Sequence, residues 1–284
     1  MSVPAVVAVV GGGRMGAGIA QVFAVAGAEV TIAEADDSSA AAAVERVEQG
    51  LHRAAEKGKL DASPAEVLRR LSTVTSLSEI PADAGLVVEA VPELIAAKLA
   101  VLTAVEKVVS PTAVLASNTS SLSIAEMGAA LDHPHRFVGM HFFNPVPASI
   151  LVEVVHAPVT DGAIVENVLE WVHALGKSDV VVKDSPGFAT SRLGVALGLE
   201  AIRMFEEGIA DAESIDRAME LGYRHPMGPL RSTDLVGLDV RLAIAEHLAT
   251  TLGARFEPPQ LLRDKVSRGE LGRKTGQGFF SWST

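Results

Sequence analysis

Near its start the chain runs an apolar stretch, Val6 to Val10, directly into Gly11-Gly12-Gly13-Arg14-Met15-Gly16, after which Met15, Ile19, Val22, Phe23 and Ala26 recur at helical spacing up to Gly27. Three of those glycines have separate physical tasks. Gly11 permits a tight turn after a strand, Gly13 lets backbone approach a ligand closely, and Gly16 lets the following helix pack against the strand. A helix starting there turns its unbonded N–H groups and the positive end of its dipole toward an anion. A second strand-like run, Glu29 to Ala33, ends in Glu34, eighteen residues after Gly16, where a carboxylate can accept from a ribose hydroxyl. Strand, glycine loop, helix, strand and acid in this order predict a Rossmann-type site for a dinucleotide. Gly11, Gly13, Arg14, Met15, Gly16 and Glu34 are its candidate contacts; a glycine-rich turn with no ligand is the competing explanation. Asp36 and Asp37 follow Glu34 with no arginine beside them, so a 2′-phosphate would meet like charge, and NAD is expected over NADP.

Further on, strand-like runs alternate with helical spacing. Gly85 to Ala90 is a buried-strand pattern, Leu94 to Val109 is helical, Ala113 to Ala116 is a strand, Gly162 to Leu175 a helix, and Val180 to Val182 a last strand. Ser63-Pro64-Ala65-Glu66 combines a capping box with proline at a first helical position, predicting a helix through Leu71. Such alternation argues for a parallel, doubly wound sheet whose ligands sit beyond the carboxyl ends of the strands. Past Asp184-Ser185-Pro186-Gly187 only helical spacing remains. The expected fold class is therefore α/β, with residues 1–185 as the nucleotide-binding domain and 186–284 as an all-helical domain. The 284 residues suffice for that division.

With no cysteine in the chain, disulfides, thiolate nucleophiles and thiolate-bound metals are excluded. A net charge of −11 without a basic stripe disfavours nucleic acid. No stretch reaches the roughly 18 apolar residues of a membrane span, and the N-terminus lacks a basic leader, so a soluble cytoplasmic protein with no metal site is expected.

Gly139-Met140-His141-Phe142-Phe143-Asn144-Pro145 places an imidazole at the end of a strand-like run, and Glu153 returns twelve residues later on the apolar run Leu151 to Val155. A histidine moves a proton near neutral pH, and a carboxylate on its other nitrogen fixes the tautomer and supports the imidazolium. His141 and Glu153 are thus a candidate general base with its orienting acid; a core histidine bonded to backbone is the alternative. Glu93, Ser120 and His141 each follow a strand end. The cluster Ser117 to Ser121 also suits turns and caps, with Ser123 placed to cap a short helix. Arg53, Lys57, Lys59, Arg69 and Arg70 gather on one helical hairpin, as an anionic substrate tail or simply a solvated face would require.

With these residues in view, the chain resembles the 3-hydroxyacyl-CoA dehydrogenase family, most closely its short bacterial 3-hydroxybutyryl-CoA dehydrogenases. The likeness rests on residues 11–20 and 88–93 (Val-Glu-Ala-Val-Pro-Glu), 116–124, 139–147, Asp-Ser-Pro-Gly-Phe at 184–188, His-Pro-Met-Gly-Pro at 225–229 and Gly-Arg-Lys-Thr-Gly-Gln-Gly-Phe at 272–279. The resemblance implies His141 as catalytic base, Glu153 as its partner, and Ser120 at both the substrate oxygen and the cofactor. It implies Ala90, Glu93, Lys98, Asn144 and Lys274 as further cofactor contacts, and Lys57 and Lys59 at the CoA nucleotide. A homodimer acting on an acyl-CoA, with the helical domain covering the substrate and dimerising, is implied likewise. Two departures stand out. Thr190-Ser191-Arg192 puts a hydroxyl at Ser191 where most members have asparagine, and Ile150 replaces a frequent lysine. Ser191 keeps a donor and an acceptor but is shorter, so it is retained as a catalytic candidate. Two other functions remain open: a dehydrogenase of a free β-hydroxy acid such as gulonate or carnitine, and a non-catalytic NAD-binding protein.

Overall fold

A computed structural model describes residues 2–283. The chain divides into two compact units, Met1–Ser185 and Pro186–Thr284. The first contains β1 (Val6–Val10), α1 (Arg14–Val25), β2 (Glu29–Ala33), α2 (Asp37–Glu56), α3 (Pro64–Leu68), β3 (Leu71–Val74), β4 (Leu86–Glu89), α4 (Ile95–Val105), β5 (Val114–Ser117), α5 (Ile124–Gly128), β6 (Phe137–Phe142), β7 (Leu151–His156), α6 (Gly162–Ala174) and β8 (Ser178–Lys183). The strands form one eight-stranded sheet in the order β3-β2-β1-β4-β5-β6-β7-β8. All neighbours are parallel except β6 and β7, which are antiparallel.

The central strands β4, β5 and β6 are buried along their whole length, which is why they read as unbroken apolar runs and not as alternating ones. One core of Val, Ile, Leu, Ala and Phe side chains joins β1, β2, β4 and β6 to the apolar face of α1, through Ile19 and Phe23. The sheet is the doubly wound α/β architecture the sequence predicts.

Two elements differ from the sequence expectation. The capping box of Ser63 and Glu66 forms, but α3 stops at Leu68 and Leu71–Val74 becomes the edge strand β3. Backbone pairing decides this: Val30 N donates to Arg70 O at 2.8 Å, drawing the chain alongside β2 before the helix can take another turn. Only four residues long and half-exposed, β3 has no periodicity that would reveal it. Similarly β8 extends to six residues by pairing with β7.

The second unit consists of α7 (Thr190–Glu206), α8 (Ala212–Gly222), α9 (Pro229–Val236), α10 (Leu238–Leu252) and α11 (Gln260–Ser267). Val195, Leu199, Ile202, Leu230, Leu238, Leu248 and Leu262 form its core. Buried Asp234 accepts from the N–H groups of Phe279 and Phe280 and from Trp282 Nε1, each at 2.9 Å, and so ties the last residues to α9. Among the described residues no helix is long and apolar enough to cross a membrane.

Candidate active site

The glycine loop after β1 has the geometry its residues require. Gly11 takes φ +93, and a Cβ there would lie 2.9 Å from Ala90 O; a Cβ on Gly16 would sit 1.7 Å from Gly11 O. Around Gly13 a Cβ would meet nothing within 4 Å. The open space thus lies at the position where backbone must approach a pyrophosphate. Gly13 is also the N-cap of α1, and no side chain satisfies that end, so the first turn keeps N–H groups for Arg14, Met15 and Gly16 to offer an anion. Gly12, to which the sequence assigned no task, is needed because a Cβ there would come within 2.3 Å of Ala43 Cβ on α2.

At the end of β2, Glu34 accepts from Gly12 N at 2.5 Å and from Ala35 N at 3.3 Å, which fixes its carboxylate beside the loop. Arg46 on α2 donates to Gly12 O at 3.2 Å. The sequence showed no arginine near Glu34; the helix delivers one to the loop from twelve residues downstream. These residues fit a dinucleotide whose ribose faces the carboxylate and whose phosphates face the helix end.

His141 lies on β6 opposite Glu153 on β7, paired in the antiparallel register. That pairing directs both side chains to one face of the sheet, and His141 Nδ1 sits 2.7 Å from Glu153 Oε2. Glu153 is fully buried and His141 is 7% exposed. Because an ionised carboxylate only accepts, Nδ1 carries the hydrogen and Nε2 is left as the basic nitrogen. Phe143 packs on the imidazole with ring centroids 4.3 Å apart. Asn118, which the sequence offered only as part of a polar cluster, accepts from Phe142 N at 2.8 Å and ties the end of β6 to the loop after β5.

Glu93, beyond β4, gathers that same loop. Its Oε1 accepts from Thr119 Oγ1 at 2.6 Å, Ser120 N at 2.9 Å and Ser120 Oγ at 3.3 Å. Burial pushes its carboxyl pKa up, but the Lys98 ammonium and the Thr119 and Ser120 hydrogen bonds prevail and hold it below the usual value. Lys98 itself is 1% exposed, held beneath the rim by Glu89 and Glu93. Ala90, half-buried at the end of β4, abuts Gly11.

A cavity of about 1030 Å³ opens in the same unit, bordered by α1, α2 and the turn from Asn144 to Ala148. Arg14, Arg46, Arg53, Lys57, Lys59 and Lys177 line it against a single acid, Asp61, so a locally cationic cleft exists in an acidic chain. Of the basic hairpin cluster, Arg69 and Arg70 do not line it; Arg70 donates instead to Ala24 O at 2.9 Å. Lys177 donates to the carbonyls of Val146 and Ser149 at 2.7 and 2.6 Å, and burial pushes its pKa down.

Ser191 and Lys274 belong to the helical unit. Ser191 is in the first turn of α7, and Lys274 pairs with both carboxylate oxygens of Asp239 at 2.6 Å. Among the described residues no group of three or more His, Cys, Asp or Glu side chains is placed to hold a metal.

The family model for the 3-hydroxyacyl-CoA dehydrogenase NAD-binding domain matches residues 6–185, and the model for that family's C-terminal domain matches 187–282. The chain belongs to the 3-hydroxyacyl-CoA dehydrogenase family. A probable 3-hydroxybutyryl-CoA dehydrogenase of Bacillus subtilis is 41% identical over 276 residues, 96% of either chain. The crystal structure of FadB2 from Mycobacterium tuberculosis superposes with a TM-score of 0.94 at 42% identity, covering 99% of this chain and 100% of that one. For (S)-3-hydroxybutyryl-CoA dehydrogenase PaaH1 of Ralstonia eutropha the TM-score is 0.93 at 38% identity, with 99% and 100% covered. Membership makes the first unit an NAD-binding domain, consistent with the open cradle at Gly13.

Proposed function

We propose that this enzyme interconverts a short-chain 3-hydroxyacyl-CoA, 3-hydroxybutyryl-CoA foremost, and the matching 3-oxoacyl-CoA, with NAD as redox partner. The observation that carries the reading is the 2.7 Å contact of His141 Nδ1 with buried Glu153, at the sheet edge where the strand ends bearing Gly11, Glu93 and Ser120 also lie. NAD, when bound, supplies the hydride acceptor. His141 Nε2 takes the proton of the substrate's 3-hydroxyl in the oxidising direction and returns it in the other. Glu153 keeps the ring turned and favours the imidazolium that forms. Ser120 hydrogen-bonds the reacting oxygen, and Ser191 is assigned the same task from its place in the family motif. Glu93, Asn144 and Lys274 are assigned to the cofactor, with Lys98 acting through Glu93.

The cationic cleft supports a CoA thioester over a free hydroxy acid, since the nucleotide's phosphates are what Arg53, Lys57 and Lys59 are suited to hold. To the helical unit we assign substrate cover and a homodimer contact, and the enzyme's place is the cytoplasm. One spectrophotometric assay tests the reading: acetoacetyl-CoA should drive NADH oxidation and acetoacetate should not. Equal rates with both would replace the CoA substrate by a free acid, and no oxidation with either would leave a binding protein.

A further inference from the structure

Beneath the rim of the sheet lies an ion pair that the proton transfer does not use. Glu89, the last residue of β4, is 0% exposed and Lys98 on α4 is 1% exposed. Lys98 Nζ donates to Glu89 Oε1 at 2.8 Å and Oε2 at 3.0 Å. Glu89 also accepts from Val91 N at 2.7 Å and Ser117 Oγ at 2.5 Å. The ammonium's remaining neighbours are Val91 O at 3.3 Å and Glu93 Oε2 at 3.2 Å. Every polar atom of the pair is thus engaged. A buried ion pair contributes little stability, because the desolvation of two charges offsets their attraction and well-packed apolar residues of the same volume do as well or better. Folding alone therefore gives no reason for this one.

Its connections do. From Lys98 the chain of contacts passes to Glu93, which is about one-third exposed, and from Glu93 Oε1 to Thr119 Oγ1 and to the backbone and hydroxyl of Ser120. Glu89 grips the root of the same loop at Ser117. One lysine thus balances two carboxylates that hold a single five-residue loop, Ser117 to Ser121, at its base and at its tip.

We propose that Glu89 is a positioning residue for the reaction: through Lys98 it fixes the rotamer of Glu93 and so the place of the Ser120 hydroxyl. This rests on the reading of Ser120 as a contact of the reacting oxygen. Removing the Glu89–Lys98 pair takes away the ammonium that holds Glu93 Oε2 at 3.2 Å, so that carboxylate turns and no longer fixes Ser120. A displacement of about an ångström in a group that bonds the reacting oxygen costs up to roughly 10² in rate.

The test is the paired replacement Glu89→Gln with Lys98→Met, which removes both buried charges at nearly constant volume and leaves an amide whose oxygen accepts from Val91 N and whose NH2 donates to Ser117 Oγ. The double variant should stay folded by circular dichroism and lose roughly 10- to 100-fold in kcat. Introduced into Ser120→Ala, the same pair should cost less than about twofold further, because its effect runs through that hydroxyl. Wild-type kcat in the double variant, or an equal loss in both backgrounds, would overturn the proposal while leaving Ser120 in its role. Wild-type kcat in Ser120→Ala alone would remove the reading beneath it. Should the double variant not fold, Glu93→Gln leaves the Glu89–Lys98 pair intact and must reproduce the loss in kcat; full activity there also overturns the proposal.

Discussion

The first unit contains two histidine–carboxylate pairs of the same length. His141 Nδ1 and Glu153 Oε2 are 2.7 Å apart, and so are His173 Nε2 and Asp179 Oδ1. In the first pair the side chains are 9% and 0% exposed; in the second, 53% and 24%. Water around the second screens the attraction toward the ~1 kcal/mol expected of an exposed pair, whereas removal from water strengthens the first severalfold. The chemistry differs in direction as well. Glu153 occupies Nδ1 and leaves Nε2, the nitrogen furthest from the backbone, for the base role proposed above; Asp179 occupies Nε2, so His173 has no basic nitrogen at its tip. Donor–acceptor distance alone therefore does not mark a catalytic pair. The pair proposed as catalytic differs in its strand register, which sets both side chains on one face, at the end of the sheet where ligands of doubly wound folds gather.

The comparison breaks most directly at His141. In His141→Ala, kcat/KM for acetoacetyl-CoA reduction should fall by roughly 10²–10⁴, the usual share of general acid–base catalysis, while NADH affinity measured by fluorescence stays near wild type. His141→Gln keeps a donor toward Glu153 and should lose a comparable amount, separating proton transfer from packing. A His141→Ala enzyme with wild-type kcat/KM would put the proton on some other group. Glu153→Gln should cost less, roughly 10- to 100-fold, because the ring stays hydrogen-bonded but the negative charge favouring imidazolium is lost; each tenfold corresponds to about 1.4 kcal/mol.

Much of this site was legible in the residues. The glycine loop declares itself because Gly11 and Gly16 answer steric demands while Gly13 leaves open space, and the His141 to Glu153 spacing becomes a cross-strand pair in the antiparallel register of their strands. What could not be read is what long-range packing decides. Arg46 reaches the glycine loop only because α2 folds back across it; Asn118 ties two strands that are adjacent in space but 24 residues apart. Lys98 carries the plainest lesson. The family resemblance implied a cofactor contact there, and the structure places its charge between Glu89 and Glu93. The edge strand β3 escaped for a related reason, since backbone pairing with β2 and not side-chain pattern makes it.

The smallest expected effect sharpens the comparison from its other side. His173 stands in the last turn of α6, where a protonated ring also meets the negative end of the helix dipole. Both contributions are exposed to solvent, so His173→Ala should change kcat by less than about twofold and unfolding stability by no more than about 1 kcal/mol. Raising the salt to about 1 M, where the screening length shrinks to about 3 Å, should reduce even that difference, since Asp179 is part-exposed. A loss in His173→Ala approaching that of His141→Ala would mean that burial and register do not distinguish the two pairs, and the assignment of the base to His141 would lose its physical ground.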